Sequence, residues 1–99
     1  MITKSINKKN IYFNNNKILK KYLKRLDPIY LWMKKLNLKE PTILDIGANI
    51  GMYSICYSKI FYKSKIFAFE PVKKNYEILV SNINKNKIKT IYPKNFGFL

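Results

Sequence analysis

The alternation of hydrophobic and polar positions divides the chain into a polar start, two helices and a series of strands and helices. Residues 1–16 are mostly polar and show no period, so we expect them to form a loose arm without regular structure. From Lys17 the hydrophobic residues recur at helical spacing, and lysines and Arg25 occupy the opposite side. The hydrophobic side of this first helix consists of Ile18, Leu19, Tyr22, Leu23 and Leu26.

A second helix is predicted directly after the first. Asp27 is a favourable N-cap and Pro28 suits the first helical position, so the pair ends one helix and begins the next. This helix stops before Pro41, and its hydrophobic face consists of Ile29, Trp32, Met33 and Leu36. We expect both amphipathic helices to dock on the rest of the chain rather than on a membrane surface.

After Pro41 the pattern predicts short strands alternating with helices. Strands are predicted at residues 42–46, at 65–69 and around 89–92, and the first of these is expected to be buried. One helix is expected over residues 52–61. The next has a hydrophobic face of Val72, Tyr76, Leu79, Val80 and Ile83. Connections this short favour a right-handed, parallel β-α-β-α-β unit.

Composition excludes several classes of site. The chain has 99 residues and is 47% hydrophobic, which is typical of one small folded domain. It has no histidine and only one cysteine, Cys56, which excludes a zinc site, a disulfide and a His-based triad. The longest uncharged stretch, 46–58, is too short for a membrane span, and the N-terminus does not read as a signal peptide. We therefore expect a cytoplasmic protein.

The net charge of +15 raises the possibility of nucleic-acid binding. However, all but one of the 20 basic residues are lysines, they are scattered along the chain, and isoleucine, asparagine and tyrosine are also abundant. A genome rich in A/T codons produces the same bias. The charge is therefore weak support for a polyanionic partner.

One turn concentrates the glycines of the chain. Of three glycines, Gly47 and Gly51 both lie in the turn after the first predicted strand. Glycine there permits positive φ angles and lets a ligand approach the backbone. Asn49, between them, tolerates the left-handed region better than a bulky residue does.

Two carboxylates flank this turn. Asp45 lies two residues before Gly47, and Glu70 follows the second strand, nineteen residues after Gly51. A carboxylate at the tip of the second strand is placed to accept hydrogen bonds from both ribose hydroxyls of an adenosine. Pro71 and the valine after it would form an apolar lip for the adenine ring. The alternative is a tight turn with Glu70 capping the next helix, but the combination of residues favours a ligand site.

The turn does not match the usual phosphate-binding motifs. A G-x-G-x-x-G fingerprint fails because Asn49 and Met52 replace two of its glycines, and no G-K-[ST] is present. An adenosine ligand without phosphates fits better. S-adenosylmethionine is such a ligand, and its amino-acid end can lie against the backbone of Gly47–Gly51 with Asp45 near its ammonium group.

These residues resemble a known family. The segments 43–54, ILDIGANIGMYS, and 66–71, IFAFEP, closely resemble the FkbM family of S-adenosylmethionine-dependent methyltransferases. The resemblance covers residues 41–92. It implies that the methionine end is lined by Asp45, Gly47, Ala48, Asn49 and Gly51. It also implies that Glu70 holds the ribose, and that the reaction is O-methylation of a sugar or small-molecule hydroxyl.

The resemblance further implies an α/β, Rossmann-like class I methyltransferase fold whose first three parallel strands lie in the order 3-2-1, with a fourth beside the first. We expect residues 1–40 to form the arm and two helices, and 41–99 to form the first half of the domain, truncated and inactive alone. No catalytic base or metal ligand is identified. The acceptor is expected to be a small molecule or glycan rather than a nucleic acid. The alternatives are a small basic nucleic-acid-binding module and a fragment of a nucleic-acid methyltransferase.

Overall fold

The computed structural model describes residues 1–14 and 17–97 of the chain. Asn15 and Asn16, at the end of the predicted arm, and the side chains of Lys17 and Ile18 lie outside this description. The first half of the chain contains β1 (Ile2–Ile6), β2 (Lys9–Phe13), α1 (Lys17–Tyr22), a 3-10 turn (Leu23–Arg25) and α2 (Leu26–Lys35). The second half contains β3 (Thr42–Ile46), α3 (Met52–Ile60), β4 (Lys65–Phe69), α4 (Lys73–Lys85) and β5 (Ile91–Lys94).

The prediction of a loose N-terminal arm is wrong, because β1 and β2 form an antiparallel hairpin. Asn7 and Lys8 connect the strands with φ angles of 52° and 62°, as a two-residue turn that matches the twist of a hairpin requires. The hairpin buries three hydrophobic side chains against α3 and α4: Ile6, Ile11 and Phe13. Lys4 and Lys9 occupy positions on the same face as these side chains, so the hydrophobic period of two is broken when each strand is considered alone.

The two predicted helices exist, but the boundary between them is displaced. Leu23 and Leu26 are buried as expected, whereas α2 already begins at Leu26, and Pro28 is its third residue. Proline is tolerated there because the first N–H groups of a helix have no partner within it. Asp27 does not cap the helix. Its carboxylate pairs with the Lys4 ammonium of the hairpin at 2.7 Å.

The predicted hydrophobic face of α2 is also wrong in part. Trp32 is 62% exposed, and Leu36 is exposed as well. The helix instead packs against α3 with Leu26 buried and Tyr30 partly buried, four residues apart on one face. The Tyr30 hydroxyl also donates a hydrogen bond to the side-chain oxygen of Asn7.

The predicted parallel sheet is confirmed. Its strands lie in the order β3-β4-β5, so the first, second and third strands of the β-α-β-α-β unit are sequential neighbours. Helix α3 contacts the sheet as well as both strands of the hairpin, and α4 contacts β5 and β2. The helices therefore form a middle layer between the parallel sheet and the N-terminal hairpin. Among the described residues, no helix is long and apolar enough to cross a membrane.

Within residues 1–14 and 17–97, the second face of the sheet is largely open around Leu44 and Ile46, which corrects the prediction that residues 42–46 form a buried strand. Leu44 and Ile46 are each 62% exposed, because their side chains alternate with those that face the helices. Register aligns Leu44 with Phe67 and Tyr92, whose rings stack with centroids 5.3 Å apart. Parallel sheets normally have both faces covered. This surface, Leu44, Ile46, Phe67, Phe69 and Tyr92, is called the open face below.

Two element boundaries in the second half also differ from expectation. The third strand spans Ile91–Lys94 rather than 89–92, and includes Pro93, which an edge strand tolerates. Val72 is the exposed N-cap of α4 and not part of its buried face.

The open face predicts unequal effects for two matched substitutions. Ile66→Ala in β4 removes a fully buried side chain and should destabilise the protein by about 2–5 kcal/mol. Ile46→Ala in neighbouring β3 removes an exposed side chain, and its cost should stay below about 1 kcal/mol. Urea unfolding followed by circular dichroism measures both, and equal costs would contradict the open face.

Candidate ligand-binding site

The turn between β3 and α3 is held by backbone hydrogen bonds to the end of the neighbouring strand. The N–H groups of Gly47 and Ala48 both donate to the carbonyl of Phe69, at 2.9 Å each. The Gly51 N–H donates to the Ala48 carbonyl at 2.9 Å and closes the turn. Because Phe69 ends β4, these bonds fix the turn against the carboxyl end of the second strand of the unit.

Three residues of the turn have positive φ angles, as the sequence predicts. Gly47 has a φ of 76°, Asn49 of 54° and Gly51 of 96°. A Cβ atom added at Gly51 would lie 2.7 Å from Cδ1 of the buried Leu79, whereas one added at Gly47 would meet nothing within 4 Å. A side chain at Gly51 would therefore have to displace the Leu79 methyl group as well as adopt a left-handed conformation, while Gly47 leaves open space in front of the backbone.

Glu70 joins the turn to the start of α4. One carboxylate oxygen accepts the Asn49 N–H at 2.8 Å, and the other accepts the Val72 N–H at 2.8 Å. The residue is only 5% exposed. It therefore bonds to the N-cap residue of α4, although the helix has no side-chain cap bond, and at the same time braces the turn. Each oxygen keeps a second lone pair that a further donor could use.

Asp45 lies at the base of the turn and is partly buried. The Ser54 hydroxyl donates to its carboxylate at 2.6 Å. Burial raises the pKa of Asp45 above its ordinary value of 3.8, while hydrogen bonds from the hydroxyl and backbone of Ser54 oppose this rise. The contact is between near neighbours in the sequence, because Ser54 is in the first turn of α3, which directly follows the turn.

A cleft of about 500 Å³ lies beside the turn, a volume within the range of small-molecule sites. The turn and the start of α3 contribute Gly47, Ala48, Asn49, Ile50, Met52 and Tyr53. The facing wall consists of Leu19 and Tyr22 from α1 and Lys74, Asn75 and Ile78 from α4. None of these residues carries a carboxylate, so the charged side chain lining the cleft is the lysine.

The structure brings together most, but not all, of the predicted site residues. Gly47, Ala48 and Asn49 line the cleft, while Asp45 and Glu70 support the turn without lining it.

Pro71, the predicted adenine lip, is exposed and lies outside the cleft, beside Gly97. The Asn95 amide donates to the carbonyls of both Glu70 and Pro71. The valine predicted to complete the lip is exposed at the helix start.

Sequence reasoning missed the wall opposite the turn. Lys74 and Asn75 are in the first turn of α4, only four and five residues after Glu70 in the sequence. Their closeness in sequence to a predicted site residue could have identified them as part of the cleft. Tyr22 was assigned to a helix core but lines the cleft. The guanidinium carbon of Arg25 lies 4.2 Å from the centroid of its ring.

Two other kinds of chemistry have no support here. Burial raises the pKa of Cys56 to about 12, so its thiol does not ionise near neutral pH. Among residues 1–14 and 17–97, no group of three or more Cys, Asp or Glu side chains could hold a metal ion.

Comparisons with known proteins were made by sequence and by structure. No protein-family model matches the chain. Methyltransferase sdnD of Sordaria araneosa is 41% identical over 46 residues, which are 46% of this chain and 18% of that protein. A SAM-dependent methyltransferase structure from Aquifex aeolicus is 26% identical, with a TM-score of 0.59 over 82% of this chain and 46% of that one.

Two further structures are similar in fold. Precorrin-6y C5,15-methyltransferase from Geobacter metallireducens is 22% identical with a TM-score of 0.61, over 82% of this chain and 42% of that one. M. jannaschii TYW2, solved in complex with AdoMet, is 18% identical with a TM-score of 0.62, over 93% of this chain and 41% of that one.

The predicted fold class is confirmed by these similarities: the chain has the Rossmann-like fold of S-adenosylmethionine-dependent methyltransferases and a methyltransferase homologue. The matched segment spans about a fifth of the curated relative, and the chain spans less than half of each of these solved structures.

The two glycines of the turn should respond differently to alanine. At Gly47 only the positive φ opposes the new Cβ, so Gly47→Ala should cost about 1–2 kcal/mol of stability. Gly51→Ala adds a collision with Leu79, and should cost at least about 1 kcal/mol more. Chemical unfolding of both variants tests this, and equal costs would mean that Leu79 moves aside freely.

Asp45 should make stability depend on pH. Its raised pKa means that the folded state binds a proton more tightly than the unfolded state, so its ionisation destabilises the fold as pH rises above about 4. Asp45→Asn removes that ionisation and keeps an acceptor for Ser54. We expect the variant to exceed the natural chain in urea midpoint at about pH 7.5, with a smaller gap at about pH 4.5. A gap that grows on acidification would refute the assignment.

Proposed function

We propose that the protein is an S-adenosylmethionine-dependent O-methyltransferase of the FkbM type, acting on a hydroxyl of a sugar or another small molecule. The observation that carries the proposal is the Glu70 carboxylate, which braces a left-handed glycine turn beside a cleft. The fold similarity to SAM-dependent methyltransferases supports it. The methyl-donor half of the pocket is assigned to residues 41–99, and catalysis to the whole protein.

The residues of the turn fit an adenosyl ligand. Gly47 leaves room for close approach to the backbone, since a Cβ there would meet nothing within 4 Å. We assign Asp45 to the ammonium group of the ligand, and the spare lone pairs of Glu70 to its ribose hydroxyls. Lys74, across the cleft, supplies a cation suited to the ligand carboxylate. Pro71 is assigned to the adenine end of the ligand, which then extends beyond the cleft.

When bound, S-adenosylmethionine supplies an electrophilic sulfonium methyl group. Transfer of that methyl group to a hydroxyl oxygen would give the methyl ether and the neutral thioether, and would release the hydroxyl proton to solvent. Asp45 and Glu70 are assigned to ligand binding rather than to this proton, because both already accept hydrogen bonds that hold the turn. The contribution of this chain is therefore to orient the donor.

Glu70→Gln tests the cofactor assignment directly. The substitution removes the charge and turns one oxygen into an NH2 group facing a backbone N–H. We expect affinity for S-adenosylmethionine to fall by about 10- to 100-fold, from the 1.5–3 kcal/mol typical of hydrogen bonds to charged groups. Isothermal titration calorimetry on the 99-residue chain measures the affinity, and circular dichroism checks the fold.

Glu77→Gln is the matched control, since Glu77 is an exposed carboxylate on α4 that lies outside the turn and cleft. Its affinity should equal that of the natural chain. Binding that survives Glu70→Gln unchanged in a folded protein, or is absent from the natural chain, would contradict the proposal.

A nucleic-acid acceptor is the second candidate. Lys74 lines a cleft without carboxylates, and 20 basic residues outnumber five acidic ones in the chain. Phosphate contacts make affinity fall steeply with salt, whereas adenosyl-ligand binding should change little. A strong salt dependence of binding to a single-stranded RNA would favour this acceptor class over a neutral sugar.

A further inference from the structure

Two buried asparagines, Asn82 in α4 and Asn86 at its C-cap, hold the edge of the N-terminal hairpin. The Asn86 side chain accepts the Tyr12 N–H at 2.7 Å and donates to the Tyr12 carbonyl at 2.7 Å. One helical turn earlier, the Asn82 side-chain oxygen accepts the Asn14 N–H at 3.3 Å. The amides therefore bond to backbone groups at two successive positions along the same edge.

The spacing of the two asparagines explains why a helix can take the place of a neighbouring strand. Residues four apart on a helix are separated by about 6 Å along its axis. Residues two apart on a strand, which point their backbone groups to the same edge, are separated by about 6.6 Å. Asn82 and Asn86 thus match Asn14 and Tyr12, and they satisfy an edge that would otherwise be unpaired.

Of the two asparagines, Asn82 also bonds to the turn of the ligand site. Its side-chain nitrogen donates to the carbonyl of Ile50 at 2.8 Å, and the residue is fully buried. Ile50 lies between the left-handed Asn49 and Gly51, in the turn that lines the cleft. The Asn86 side chain instead bonds to Tyr12 and to the Asn82 carbonyl, which are outside the turn.

We propose that Asn82 is a positioning residue for the ligand site: one amide group fixes the Ile50 carbonyl of the turn and anchors the hairpin at Asn14. It acts through the turn and has no place among the residues lining the cleft. The N-terminal hairpin thereby becomes part of the support of the site, although it lies in a different layer from the sheet. The link to ligand affinity rests on the proposed function, whereas the link to the turn does not.

The test compares Asn82→Leu with Asn86→Leu, which remove buried amides of the same type from the same helix. Both variants lose bonds to the hairpin, so both should unfold at lower urea concentration. Only Asn82→Leu releases the turn. Amide hydrogen exchange at Asn49 and Gly51, read by NMR, should accelerate by about tenfold in that variant and stay within about twofold in the other.

Ligand affinity provides a second measurement on the same variants. Calorimetry with S-adenosylhomocysteine should show at least about a fivefold loss for Asn82→Leu, in the range of coupling through intervening residues, and none for Asn86→Leu. If the natural chain binds no S-adenosylhomocysteine, the proposed function fails, while the exchange rates still decide the role of Asn82. Equal exchange at the turn in both leucine variants would overturn the positioning role.

Asn82→Asp keeps the test decisive if the leucine variant does not fold. An ionised carboxylate accepts the Asn14 N–H but cannot donate to Ile50, whereas a protonated one can do both. Burial favours the protonated form, so protection of the Gly51 amide should be lost at high pH and restored as pH falls. Exchange rates are compared with Asn86→Asp at each pH, after correction for the intrinsic pH dependence of exchange. No recovery specific to Asn82→Asp would contradict the proposal.

Discussion

The ligand site depends on one buried carboxylate that bonds to the backbone on two sides. Glu70 accepts N–H groups from the turn after β3 and from the start of α4, so one side chain joins segments that belong to separate strand–helix connections. A buried carboxylate is costly without such donors. The turn and the glutamate therefore stabilise each other: the left-handed Asn49 presents its N–H, and the carboxylate holds it there. The carbonyl of Phe69, one residue earlier, receives two more N–H groups from the same turn.

The parts of the fold that could be predicted from the sequence depend on neighbouring residues. The turn was recognisable because Gly47, Asn49 and Gly51 supply the positive φ angles that it requires, and those angles are a local property. Strand β4 and helix α3 lie within one residue of their predicted bounds for the same reason. The hairpin was missed because its buried pattern emerges only when two strands pair. The start of α2 was predicted two residues too late, because a proline in the first helical turn does not fix which residue begins the helix.

The candidate site, like the fold, could be predicted only in part. Asp45 and Glu70 could be placed near the turn because parallel strands bring their carboxyl ends together. In the structure Glu70 bonds to Asn49 of the turn, and Asp45 bonds to Ser54 of α3. That Glu70 would bond to the turn backbone could not be read from spacing, since it depends on the φ of Asn49. Asn82 was equally hidden. Its two partners, Asn14 and Ile50, are distant in sequence from it and from each other, so no local pattern indicates that one amide reaches both.

The open face gives the basic composition a physical meaning that is independent of any ligand. Leu44 and Ile46 expose apolar surface to water, and such surfaces attract one another. A charge of +15 on a chain this small repels its copies over a distance set by the ions in solution, about 8 Å at physiological ionic strength. Association between copies of the chain therefore depends on two opposing interactions. The short-range apolar attraction is not weakened by salt, whereas the charge repulsion is. Dilute buffer keeps molecules apart, and raising the ionic strength shortens the reach of the charge repulsion that opposes contact between open faces.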